Sequence, residues 1–536
     1  VGTLNSGLNN LGLFSGGFER FRAWPGSSNS LSHNMVTTFA EYDGAIWVGT
    51  DGGGLNRFDP VNGSFDVLRH DPMRTGSLPD DRVWALAIDP DETLWVGSWG
   101  GGLGRRLAGS DSFEPVREAP GNITTLAAGT DGTIWIGTPD WGLHRLAPGA
   151  TATESIAATL DDGRALRTTS VPDLHLTADG ALWIATWDNG LLRLDEDGEL
   201  EQWRHVPGDD ASIASDTIRS ISTGADGHFW LGTAGGLTRF DPATGAVLAN
   251  YGVDVGLPPS VFYAAIPDEL GRIWVSSNRG IARFDPATET ARSYDPRDGL
   301  QGFEFNGAEA LRSSDGFIYF GGTDGFNRFQ PGSLRDNPFP PAVALTDFLL
   351  FNEVQRPGQA DGGSILNRAL SATRAITLNH TQDVIALQFA ALHFVSPERN
   401  EYAYRLDGFD RDWIYTDADR RIAAYTNLDP GKYRFRVKAA NSDGVWSDTE
   451  ATLDLEVLAP WWATRPAMLG YFIAAVLLVS LFVRWRTLFL RRRAVELKKM
   501  VRDRTRLISQ QKDTIEAQAE KVEQVLQSKE QLFARV

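Results

Sequence analysis

One phrase recurs along this chain and limits what it can fold into. Asp43-Gly44-Ala45-Ile46-Trp47-Val48-Gly49-Thr50 runs through a glycine-rich turn into Gly54-Leu55-Asn56-Arg57-Phe58-Asp59-Pro60. The anchor aromatic Trp47 returns as Trp95, Trp135, Trp183, Trp230, Trp274 and Tyr319. A period of about 40–48 residues is that of a β-propeller blade. Each phrase reads as two strands around a turn. An alternating segment lies upstream, as in 82–88, and another downstream, as in Ser64–Leu68. Four strands per repeat complete a blade.

A residue present in every repeat serves packing before chemistry. The seven anchors are therefore expected to fill the wedges between blades, with Arg57, Arg145, Arg193, Arg239, Arg283 and Arg328 as structural companions. Phe18-Glu19-Arg20-Phe21-Arg22 is placed to supply the outer strand of the blade near 305–330. That closes a propeller of seven blades over 12–335, with eight as the alternative. Residues 1–11 then read as the remnant of a preceding blade or propeller. Because Val1 falls inside a repeat, a targeting segment is expected upstream.

The chain of 536 residues has no Cys, which excludes disulfides, thiolate metal sites and Cys nucleophiles. From Arg484 onward there are 14 Lys and Arg against 7 Asp and Glu, a net of +7. The total of −18 leaves −25 for the preceding part, which argues against nucleic-acid binding there. The eight His are scattered, without metal-ligand spacing, and no nucleophile elbow is seen. Gly49-Thr50-Asp51-Gly52-Gly53-Gly54 lacks the Lys-Ser/Thr and the helix of a phosphate loop. Asp195-Glu196-Asp197-Gly198 lacks the rest of a calcium loop. No catalytic or metal-binding residue is expected. Trp99, Trp141 and Trp187 lie outside the shared phrase, in the same turn of three successive blades. Such turns gather on one face, so the three are candidate ligand-binding residues for a sugar ring or another flat molecule. Packing against another domain or a dimer partner is the competing reading.

After Pro338-Phe339-Pro340-Pro341 the repeat stops. Alternating runs at 343–348, 384–389 and 433–439 predict an antiparallel β-sandwich over 338–458. Here stand Tyr402-Ala403-Tyr404-Arg405-Leu406-Asp407-Gly408-Phe409, Trp413 and Tyr425-Thr426-Asn427-Leu428-Asp429-Pro430-Gly431-Lys432-Tyr433. Ala440-Asn441-Ser442-Asp443-Gly444-Val445-Trp446 follows. Together these resemble the triple-tyrosine domain, and the propeller phrases resemble the regulator-type repeats that precede it in bacterial sensor histidine kinases. The resemblance implies an immunoglobulin-like module between propeller and membrane, with Tyr404, Tyr425 and Tyr433 as corner and core residues.

Between Arg465 and Arg484 there is no charge, which is long enough for one transmembrane helix over 464–485. Trp461, Trp462 and Trp485 fit interfacial belts. Arg484, Arg486, Arg491, Arg492, Arg493, Lys498 and Lys499 follow the span, against Arg465 alone before it. The positive-inside rule then puts the propeller outside the inner membrane and the C-terminus in the cytoplasm. Val501, Ile508, Ile515 and Val522 recur every seventh residue and predict a parallel coiled coil over 486–536. The last residues, Ser528-Lys529-Glu530-Gln531-Leu532-Phe533, resemble the lead-in to the dimerisation helix of sensor histidine kinases.

The resemblance implies the extracytoplasmic sensing and transmembrane signalling part of a two-component histidine kinase, simple or hybrid. The expected partners are a second copy of the chain, an external small molecule or oligosaccharide, membrane lipid, and a response regulator or fused receiver domain. No nucleic acid is expected. No cofactor is expected in this chain; ATP and Mg would serve the kinase domain that follows. The same sensor coupled to a diguanylate cyclase, or to a non-enzymatic DNA-binding output, are alternatives. An anchored propeller hydrolase or lyase would need an acid/base constellation that the sequence does not offer.

Overall fold

The computed structural model describes all residues except 1, 4–6, 9–16, 196, 306–309, 359–364, 395 and 534–536. Two compact units divide it, Val1–Pro338 and Phe339–Val536. Of the expected remnant at 1–11, only a short ladder of Gly2–Thr3 with Gly7–Leu8 lies within the described residues.

The described residues of the first unit form seven four-stranded antiparallel sheets. Blades 1 to 6 have their second strands at Ala45–Thr50, Leu94–Ser98, Ile134–Gly137, Leu182–Ala185, Phe229–Thr233 and Ile273–Ser277. Blade 7 is built from Ala310–Arg312, Ile318–Gly322 and Gly325–Phe329, and its outer strand is Glu19–Phe21 from the start of the chain. Blade 7 meets blade 1 directly. Phe39 packs on Tyr319 and Phe326 at 6.0 and 5.6 Å, and the Ser314 hydroxyl donates to Glu41. That contact closes the ring at seven and leaves no gap for an eighth blade.

One cross-strand row repeats in every blade. The anchor aromatic of the second strand is the register partner of an Arg on the third: Trp47 with Arg57, Trp95 with Arg105, Trp135 with Arg145, Trp183 with Arg193, Trp230 with Arg239, Trp274 with Arg283 and Tyr319 with Arg328. In five blades that Arg faces a carboxylate on the outer strand: Asp66, Glu114, Glu154, Glu201 or Glu19. Arg239 uses Asp226 instead, and Arg283 uses Asp336. The guanidinium lies over the ring at 6.0 Å in blade 2, 5.8 Å in blade 4 and 5.7 Å in blade 5.

The ring's other face packs on the following blade. Trp183 meets Phe229 and Phe240 at 5.1 and 5.6 Å, and Trp274 meets Phe329 at 4.7 Å. The glycine that opens the third strand has a backbone reason. At Gly54, Gly190 and Gly280 φ is positive, and a Cβ would lie 2.0–2.2 Å from a carbonyl of the outer strand.

The second unit begins with two sheets around one core. One holds Val343–Leu350, Glu353–Val354, Val384–Ala391 and Ile422–Thr426. The other holds Ala375–Leu378, Ala451–Val457, Gly431–Ala440, Glu401–Asp407 and Ile414–Thr416. Phe348, Leu387 and Phe389 from the first face Leu406, Phe435 and Leu455 from the second. The purely antiparallel expectation needs one correction, because Ala375–Leu378 runs parallel to Ala451–Val457. Its neighbours along the chain both lie in the other sheet, so it reaches this one by crossover, which permits parallel pairing.

Tyr425 is buried and its hydroxyl donates to Asp410 Oδ2 at 2.8 Å. Burial and that carboxylate push its pKa up. Tyr433 donates to the Asp429 carbonyl at 2.8 Å and ties a tight turn. Tyr404 lies between Phe389 and Phe435 at 5.7 and 6.1 Å. Tyr402, buried at 1% exposure, accepts a hydrogen bond from Ala391 N across the core.

A single helix, α1, runs from Arg465 to Phe533 over 69 residues. It contains a stretch long and apolar enough to cross a membrane. The seam residues Val501, Ile508, Ile515 and Val522 lie on the same helix and are all exposed. A lone helix with such surfaces lacks the tertiary packing that stabilises most helices.

The row predicts unequal partners. Burial of the ring dominates, because exposed ion pairs contribute about 0–1 kcal/mol. Trp183→Ala is expected to cost about 3–5 kcal/mol, and Glu201→Gln to shift the urea midpoint barely. Circular dichroism across a urea series checks this; equal losses would make the ion pair the main partner.

Candidate functional site at the mouth of the propeller channel

The innermost strands of the seven blades line a channel of about 470 Å³. Its wall includes Thr38, Ala85, Thr125, Asp173, Ser220, Ala265 and Ala310, one from each blade. Among the described residues, four inner strands carry a bulge near their first residues. The register shifts fall between Val36 and Thr38, Val83 and Ala85, Ile218 and Ser220, and Phe262 and Ala265. A bulge frees one residue from the ladder and re-aims its side chain. The freed residues include Thr37, Trp84, Arg219 and Tyr263.

Their roles diverge. Thr37 donates to the Val83 carbonyl of the next blade, and Thr124 does the same to Val171 O at 2.6 Å. These two stitch blades together. Trp84 packs on Trp99 at 5.0 Å, and its indole donates to Asp51 Oδ1 at 3.2 Å. The Arg219 guanidinium lies 4.7 Å from the Trp187 ring centre and 5.7 Å from that of Tyr263. The Tyr263 hydroxyl donates to Glu304 Oε1 at 2.8 Å, and burial beside that carboxylate pushes its pKa up to about 12.

The three turn tryptophans therefore separate. Trp187, 47% exposed, joins Arg219 and Tyr263. Trp99 joins Trp84. Trp141, 65% exposed, has no aromatic partner among the described residues. Arg219 and Tyr263 were not singled out from sequence. Their signal is a polar or aromatic residue opening an inner strand where blades 1 and 3 have Thr.

Inside the channel the wall is polar on one side. Asp173 accepts hydrogen bonds from Leu174 N and, across the blade boundary, from Ile221 N, both at 2.8 Å. Burial pushes its carboxyl up to about 7. His175 Nε2 lies 2.8 Å from the Thr223 hydroxyl, and burial lowers its pKa. The Ser220 and Ser222 hydroxyls are buried without partners. Among the described residues no cluster of three or more His, Cys, Asp or Glu could hold a metal ion. The mouth can offer stacking faces, the Arg219 cation and several acceptors. Among the described residues it holds no nucleophile paired with a base.

Residues 393–458 match the Y_Y_Y domain, and residues 77–100, in blade 2, match the two component regulator propeller. Histidine kinase P4 of Formosa agariphila is 36% identical over 174 residues, which is 32% of this chain and 12% of that kinase. The crystallised extracellular domain of BT3049, ascribed to a hybrid two component system of B. thetaiotaomicron, has a TM-score of 0.68 at 24% identity. That match covers 83% of this chain and 58% of the other. The chain thus spans only a small part of the curated kinase it matches, and the second likeness is one of fold. The chain thus joins a segment matching the two component regulator propeller to a Y_Y_Y domain, with one helix able to cross a membrane among the described residues.

Asp173 should make stability depend on pH. In the unfolded chain its carboxyl ionises near 3.8, and in the folded channel near 7. Between those values the folded state holds the extra proton, so stability falls as pH rises through that window. Asp173→Asn should remove this slope and gain on the wild type from pH 5 to pH 8. Thermal midpoints across that range test it; parallel curves for the two proteins would show that Asp173 ionises normally.

Proposed function

We propose that this chain is the sensing and membrane-crossing part of a sensor histidine kinase. The propeller and sandwich lie outside the cytoplasmic membrane, and the end of α1 lies in the cytoplasm. The main support is the unbroken helix Arg465–Phe533, which carries an apolar span straight into a heptad seam. The basic residues after the span favour this orientation and anchor to lipid headgroups. A second copy of the chain pairs along Val501, Ile508, Ile515 and Val522.

The ligand is a small molecule or oligosaccharide bound at the channel mouth, where Trp187 offers an exposed ring. Signalling requires that ligand bind the two dimer arrangements with different affinity. The kinase domain of the whole protein uses ATP and Mg and passes phosphate to a response regulator or a fused receiver.

Two measurements test the reading. The chain lacks Cys, so single cysteines at Ser64 and Ser509 report topology cleanly. An impermeant maleimide should label Ser64→Cys in intact cells, and Ser509→Cys only after the inner membrane is opened. The reverse pattern sinks the orientation. The full-length protein should autophosphorylate on histidine with ATP; synthesis of a cyclic dinucleotide from GTP would assign the output to a cyclase.

A further inference from the structure

Arg219 occupies a position that is structural in other blades. In blades 1 and 3 the corresponding residues are Thr37 and Thr124, and each spends its hydroxyl on the next blade's backbone. Arg219 makes no such bond. The Arg of the cross-strand row faces a carboxylate in every blade, whereas no carboxylate lies within 4.0 Å of the Arg219 guanidinium among the described residues. Its Nε is buried and without a hydrogen-bond partner. Two ring faces, Trp187 and Tyr263, hold the group.

A desolvated cation without a counter-ion is costly. Stacking offsets part of that, about 0.5–2 kcal/mol per ring, and leaves the guanidinium's hydrogen-bond donors unused. The same burial lowers the pKa of Arg219. Neither Glu304, which accepts from the Tyr263 hydroxyl, nor Asp173, which accepts from two backbone amides, forms an ion pair with Arg219. An incoming anion would meet the terminal N–H groups of the guanidinium, a planar pair of donors that carboxylate and sulfate oxygens match.

We propose that Arg219 is the anion-recognising residue of the channel mouth and seats a carboxylate or sulfate borne by a ring-shaped ligand that lies on Trp187. This rests on the channel mouth being the ligand site. It adds that the ligand is an acidic molecule, such as an oligosaccharide bearing uronate or sulfate groups.

The test is calorimetric titration of the full 536-residue chain in nanodiscs. The probes are tetragalacturonate, a sulfated carrageenan tetrasaccharide, and neutral maltotetraose and agarotetraose. At least one acidic probe should bind about tenfold or more tightly than the neutral ones. Which acidic probe wins tells carboxylate from sulfate. Arg219→Gln should abolish that margin without lowering the thermal midpoint, and Arg219→Lys should restore part of it. Equal binding of acidic and neutral probes overturns the proposal, as does wild-type affinity in Arg219→Gln or the binding of no probe at all. The cysteine labelling and autophosphorylation results stand apart from every one of these outcomes, so a failure here does not remove the sensor reading.

Discussion

The propeller depends on one cross-strand row, an aromatic ring on the second strand opposite an Arg on the third. One side of the ring packs on the next blade, and the guanidinium lies over the ring from the other. The Arg in turn reaches a carboxylate, so the row ends in charge at the outer rim. Ring burial supplies most of the energy, because the carboxylates are largely exposed and such pairs are weak. The row also fixes register. A slip of one residue would turn every anchor out of its wedge. Blades 5 and 6 keep the row although their outer strands place Ala249 and Arg292 opposite the Arg. There Asp226 and Asp336 approach from elsewhere, which shows that the Arg is retained and its counter-ion is replaceable.

What the row demands, it demands identically seven times, and function must lie where the repeat is free to vary. Two positions are free and adjacent on the channel mouth: the turn after the second strand and the bulge that opens the inner strand. In blade 2 both hold Trp, as Trp84 and Trp99, and the two rings satisfy each other. Trp187 of blade 4 meets Arg219 of blade 5, and a Trp–Arg pair leaves a cation and an exposed ring face available. The difference between a filled mouth and a receptive one is thus a matter of which side chains share two variable sites.

Much of this was legible in the sequence, for physical reasons. The blade count, the strand Glu19–Phe21 that closes blade 7, and the wedge role of Trp47 through Tyr319 follow from period and alternation. So does the span within α1, because eighteen uncharged residues between basic flanks have few other uses. Arg105 escaped notice as a member of the row because a second Arg, Arg106, blurs the phrase there. Arg219 and Tyr263 were passed over because alternation predicts a ladder partner where the bulge leaves none, and their departure from the Thr of blades 1 and 3 gains meaning only once the bulge is known. The tryptophans of the three turns were visible as a group, yet their division into Trp99 with Trp84 and Trp187 with Arg219 needs contacts between blades, which no local pattern encodes.

The unbroken helix constrains how a signal could leave the propeller and the sandwich. Arg465–Phe533 has no Pro after its first turn, and its one Gly, Gly470, stands near its start. Kinks in helices arise at Pro, at Gly and Ser pairs and at local bulges, so the helix has no built-in hinge past the span. On the proposed pairing of two copies, a change at its N-terminal end would pass along it as a rigid motion, a shift or rotation of one rod relative to the other. Such motions need an interface with two comparable packings. The proposed seam would supply one, because Arg504, Lys512 and Gln518 interrupt Val501, Ile508, Ile515 and Val522 and would keep any single register from winning by much. A fully apolar seam would lock one arrangement and leave ligand binding energy with nothing to shift.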